Sequence, residues 1–227
     1  MEAAQSTDVD LAPHTPSPAA PKPKMRGVLH AISAPLTVVA GIPLLLAAST
    51  TPARIATAVY LFTALNLFGV SATYHIGKWS ARVKVALRRL DHSNIFLIIA
   101  GTYTPLSVLL LPAEESRVLL IAIWSAAALG VGISTLWPHA PRWVSVPLYL
   151  IMGWVSVFYV PDMAELGGSI VVWLVAIGGL LYSVGAIVYA TKRPNLSITW
   201  FGFHELFHAF TVAAFAVQFA AIAIAVS

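Results

Sequence analysis

Seven apolar runs, each about 20 residues long, decide what this chain can become. A helix needs roughly 20 apolar residues to cross the hydrocarbon core of a bilayer, and the runs lie at about 28–49, 54–76, 90–111, 117–136, 143–160, 168–190 and 199–226. In hydrocarbon every backbone N–H and C=O must be paired within the segment, so such runs become helices. The expected fold is therefore all-α: a polytopic membrane protein of seven transmembrane helices. The fifth run is the shortest. Only 10% of the residues are charged and 59% are hydrophobic, where a soluble domain carries roughly a quarter charged residues. Too little polar sequence remains for a sizeable soluble domain.

Residues 1–24 read differently. They are rich in Pro, Ala, Ser and Thr without an apolar run, the composition of a disordered tail. Residues 25–227 then form one membrane domain.

Charge sets the orientation. With the N-terminus inside, Lys22, Lys24, Arg26, Lys78, Arg82, Lys84, Arg88, Arg89, Arg142, Lys192 and Arg193 fall on the cytoplasmic side, and Arg54 and Arg117 outside. Eleven of the 13 basic residues are then inside, the expected bias for inner loops. Seven crossings put the C-terminus outside. The same bias accounts for the net charge of +4 without nucleic acid as a partner. The expected location is the plasma membrane, in bacteria the inner membrane. Trp137, Trp143 and Trp200 fall near run ends, where indoles anchor helices at the interface.

Ionisable groups inside apolar runs are costly and point to function. Ser71 and His75 stand four residues apart in S-A-T-Y-H, and His204 and His208 four apart in F-H-E-L-F-H-A-F. Four residues is about one helical turn, so each pair projects from one face. The topology puts His75 at the inner end of the second span, Asp91 at the start of the third, and His204 in the first turn of the seventh. All five residues share one depth near the cytoplasmic face, an agreement that hydropathy alone does not require.

With no cysteine in the chain, His and carboxylate are the available metal ligands. Three imidazoles and an open fourth position make a catalytic zinc site, so His75, His204 and His208 are the expected zinc ligands. Asp91 is the expected proton acceptor or orienting group, and Ser71 joins its network. Each has a plainer reading: a packing histidine, a small residue at a helix interface, an ion pair of Asp91 with Arg88 or Arg89. His204-Glu205-x-x-His208 also spells the zincin motif, in which the Glu is the general base; Asp91 is the preferred base here. His30 could line the same cavity or sit at the interface. His92 and Asn94 flank Asp91 as partners for it. His14 and His139 fall in the tail and a loop, away from the site.

The segments S-A-T-Y-H, R-R-L-D-H-S-N-I-F-L-I-I-A-G-T-Y-T-P, G-G-L-L-Y-S-V-G-A-I-V-Y-A-T-K-R-P and F-G-F-H-E-L-F-H-A-F resemble the bacterial haemolysin III proteins. These are similar to the adiponectin and progestin receptors and, more remotely, to the alkaline ceramidases. The resemblance covers residues 25–227. It implies a zinc ion on His75, His204 and His208 near the cytoplasmic face, with Ser71 and Asp91 as site residues and Asp91 linked to the metal through water. The short tail lacks the longer cytosolic domain of the receptors, which argues against receptor-type partners.

Three functions follow as expectations. The first is a zinc-dependent hydrolase of lipid amides or esters, with a membrane lipid as substrate or ligand. The second is a non-enzymatic membrane-homeostasis or receptor-like protein with structural zinc. The third is the membrane lysis in the family's name. An aqueous pore wants a continuous polar stripe, whereas the polar residues here gather at one end.

Overall fold

The computed structural model describes residues 22–137 and 140–227. His14, His139 and all of the N-terminal tail before residue 22 lie outside the described residues. Within them the chain is helical: α1 (Val28–Ala47), α2 (Thr51–Ile76), α3 (Ala81–Leu110), α4 (Ala113–Leu136), α5 (Arg142–Trp154), a 3-10 segment (Val155–Tyr159), α6 (Val160–Thr191) and α7 (Phe203–Val226). Among the described residues there is no β-strand, only an isolated bridge between Ser197 and Phe201.

Six helical stretches are long and apolar enough to cross a membrane, counting residues 142–191 as one. Their outward surfaces agree with lipid contact. Leu46, Leu129, Phe158 and Trp173 are all exposed, and apolar exposure on that scale is foreign to a soluble monomer.

Residues 142–191 are not a straight rod. Trp154 passes into the 3-10 turn where Tyr103 of α3 intervenes. Its hydroxyl is shared between the carbonyls of Met152 and Gly153 at 3.0 and 2.9 Å and accepts the N–H of Ser156 at 2.7 Å. Helical dihedrals then fail at Gly168, with φ 73° and ψ 168°, a region that glycine enters without a Cβ penalty. Beyond it the chain doubles back. Arg142 donates to the Tyr189 carbonyl at 3.1 Å, and the Trp154 indole N–H donates to the Ser183 hydroxyl at 3.0 Å. These contacts make α5 and α6 an antiparallel pair.

α3 is the central element, packing on α2, α4, α5, α6 and α7. It begins nine residues before the apolar run, carrying Arg82, Lys84, Arg88 and Arg89 on its exposed first turns. Small residues bring it close to its neighbours. A Cβ on Gly101 would sit 2.0 Å from Thr63 Oγ1, and one on Gly130 of α4 would sit 2.2 Å from the Phe96 ring. Such close approach is how apolar helices gain packing energy without a hydrophobic driving force.

α7 starts later than the apolar run suggested. Residues 195–202 form a loop fixed by the bridge and by Phe203 N–H donating to Asn195 at 2.9 Å. The segment before α1 lies along this loop, with Lys24 N–H to Thr199 O at 2.9 Å and Met25 N–H to Trp200 O at 3.2 Å. The first turns of α1, α5 and α7 and the last turns of α2 and α6 therefore meet at one end of the bundle.

Candidate metal centre and cavity

The meeting of those five helix ends assembles the site. His75 comes from the last turn of α2, and His204 and His208 from successive turns of one face of α7. The Nε2 atoms of His75 and His204 are 3.1 Å apart. One nitrogen from each of the three imidazoles lies within 4.8 Å of the others. Two nitrogens bound to one tetrahedral zinc at its usual Zn–N length stand roughly 3.3 Å apart, so this spacing fits such an ion. His208 is buried, and its Nδ1 has no hydrogen-bond partner among the described residues. The donor set is all neutral nitrogen in an apolar setting, which suits a borderline-soft divalent cation better than Mg²⁺ or Ca²⁺.

Asp91 lies beside this group. Its Oδ2 is 3.9 Å from His75 Nε2, too long for a direct hydrogen bond and short enough to share a bridging molecule. Ser71, fully buried one turn deeper on α2, donates its hydroxyl to the Asp91 carboxylate. The structure thus brings together Ser71, His75, Asp91, His204 and His208. Asp91 stands ten residues into α3, not in its first turn, because the helix began in the basic stretch.

Ser71, Asp91, His204 and His208 line the polar end of a cavity of about 1140 Å³, counting the part open to the outside. His75 stands behind them. Away from this end the walls are mostly apolar: Leu67, Ile95, Ile98, Ile99, Val146 and Leu150 among others. On α7 the lining runs from His204 to Gln218, about 21 Å of helix at the α-helical rise.

Glu205 is turned elsewhere. Its carboxylate pairs with the Arg26 guanidinium and accepts the Gly202 N–H at 2.8 Å, capping α7. It does not line the cavity, so the zincin reading of H-E-x-x-H loses its base. Asn94 likewise serves packing, donating to the Asn66 carbonyl of α2 at 3.0 Å, whereas His92 lines the cavity. His30, left open between cavity and interface, is a buried cavity residue. Sequence reading passed over Tyr149, Tyr182, Tyr189 and Gln218, which also line the cavity. Gln218 carried a signal, a lone amide in an apolar run. The tyrosines carried none, since tyrosine is common in such runs.

A family model described as haemolysin-III related matches residues 19–219. The chain belongs to this family. As a haemolysin III protein it is 32% identical to "Hemolysin-3" of Bacillus cereus over 196 residues, 85% of this chain and 86% of that protein. It is 34% identical to "Hemolysin-3 homolog" of Bacillus subtilis over 139 residues, 61% of this chain and 62% of that relative's length. Family and apolar helices together make it a multi-pass integral membrane protein, in bacteria of the inner membrane.

Proposed function

We propose that this haemolysin III protein is a zinc-dependent, membrane-embedded hydrolase of lipid amides or esters. The observation that carries the reading is the three-histidine cluster at the polar end of an apolar cavity. An ion held by His75, His204 and His208 would polarise an acyl carbonyl and acidify water. The Asp91 carboxylate, held by Ser71, would accept the proton of water as its oxygen adds to the carbonyl carbon. Asp91 then returns that proton to the leaving nitrogen or oxygen as the C–N or C–O bond breaks. The products are a carboxylic acid and an amine or alcohol. The apolar walls hold the acyl chain and exclude bulk water.

Topology supports the reading. We infer seven crossings within the single domain 25–227, with the N-terminus cytoplasmic and the C-terminus exterior. The doubling back at Gly168 supplies the crossing that residues 142–191 conceal, and the basic residues cluster at the histidine end. Substrate then enters from the bilayer while water enters from the cytoplasm.

Membrane lysis, the activity in the name of the Bacillus cereus relative, gains less support, because the cavity walls are mostly apolar rather than a continuous polar stripe. The deciding experiment measures zinc content and hydrolysis of ceramides, phospholipids and acylglycerols by purified protein, wild type beside Asp91→Asn. Zinc without hydrolysis in the wild type favours the non-enzymatic, structural-zinc reading.

A further inference from the structure

His30 lies in the first turn of α1 and is 2% exposed. Its ring stacks on His208 with centroids 3.9 Å apart and planes 8° from parallel, and its edge meets Phe68 at 5.1 Å. Neither of its ring nitrogens has a hydrogen-bond partner among the described residues. A neutral imidazole carries one N–H donor and one acceptor nitrogen, and leaving both unmet in a buried site is unfavourable. Phenylalanine would make the same stack at no such cost. The nearby Ser33 hydroxyl is already committed to the Leu29 carbonyl at 2.9 Å.

His30 is not a fourth metal ligand. Imidazole lone pairs lie in the ring plane, and two parallel planes 3.9 Å apart cannot both point at one ion. What remains is the cavity, which His30 lines beside Asp91, His204 and His208.

We propose that His30 is a ligand-contacting residue: its imidazole N–H donates to an oxygen of the acyl head group held at the three-histidine cluster. The inference rests on the lipid-hydrolase reading and adds a group that fixes the acyl carbonyl or the product carboxylate. The stack on His208 holds the His30 ring in one orientation, so the donor is aimed before the ligand arrives.

The test is equilibrium binding of radiolabelled palmitate, with hexadecane as the head-free control, to zinc-loaded full-length protein in detergent. His30→Phe keeps the stack and removes both nitrogens; His30→Gln restores an N–H. The expected result is palmitate binding weakened about tenfold or more in His30→Phe, the worth of one hydrogen bond to a charged group. Hexadecane binding is unchanged, zinc affinity holds within about threefold, and His30→Gln recovers part of the palmitate affinity. Should His30→Phe not fold, His30→Leu carries the same comparison. Unchanged palmitate binding in His30→Phe overturns the inference while leaving the hydrolase reading intact. Joint loss of palmitate and zinc also overturns it, since His30 then acts only by holding His208. A wild type that binds neither probe sinks the lipid reading itself, and this inference with it.

Discussion

His75 and His204 bring their Nε2 atoms to 3.1 Å of each other across 129 residues of sequence. Two neutral imidazoles at that distance need one to donate and the other to accept. A shared cation removes this restriction and also engages His208.

The purified protein should therefore carry about one zinc per chain. His204→Ala together with His208→Ala should abolish binding, because a single remaining imidazole cannot hold the ion. Elemental analysis reads the outcome. A chelator should also lower the melting temperature, since metal bound only to the folded state stabilises it. Metal-free wild type after zinc supply and purification without chelator would rule zinc out.

Asp91 should separate binding from chemistry. It touches Ser71 and lies 3.9 Å from His75 without joining the three nitrogens. Asp91→Asn keeps the shape and loses the proton acceptor, so lipid turnover should fall by on the order of 100-fold or more. Zinc affinity should fall less, by roughly tenfold, as for groups that orient a site from behind its ligands. Ser71→Ala should be milder, about 1.5 kcal/mol for one hydrogen bond to a carboxylate, or roughly tenfold in rate. Equal loss of zinc and turnover in Asp91→Asn would make the aspartate a ligand rather than a base.

The apolar helices and the gathering of Ser71, His75, Asp91, His204 and His208 at one end of the bundle were legible because both follow from local pattern. What stayed hidden depends on tertiary contact. Hydropathy could not see α3 extending through Arg82–Arg89, since charged residues form helix well and need only a polar surround. The break after Trp154 depends on the Tyr103 hydroxyl, and the reversal at Gly168 on a single backbone conformation. Glu205 looked like half of a catalytic motif. Its partner Arg26 lies 179 residues away, beyond any local window.

That pair gives the third expectation. Glu205 is fully buried and Arg26 partly so, so removing Arg26 strands the buried carboxylate at about 3–5 kcal/mol, whereas removing the carboxylate leaves a guanidinium that water still reaches. Arg26→Ala should therefore melt well below wild type, and Glu205→Gln below it by a smaller margin. Their double variant should lose less than the sum, because each single change already breaks the same contact. Zinc content and turnover per folded molecule should survive Glu205→Gln. Abolished turnover there, with Asp91→Asn still active, would restore Glu205 as the base.

The crossing number is open to direct measurement, and it decides from which side water and lipid reach the histidines. Arg142 pairs with Tyr189 and Trp154 with Ser183, so α5 and α6 run in opposite directions and residues near Gly168 belong at the face opposite the histidines. Single cysteines can be introduced freely, as the chain has none. A cysteine replacing the neighbouring exposed Ser169, which leaves the Gly168 turn intact, should react with an impermeant thiol reagent applied outside intact cells. Cysteines replacing Lys78 or Lys192 should react only after the membrane is opened. Reporter fusions at Ser6 and Ser227 should give opposite signals, cytoplasmic and exterior. Identical signals at the two ends, with residue 169 shielded from outside reagent, would mean six crossings, and residues 142–191 would not form a full transmembrane hairpin.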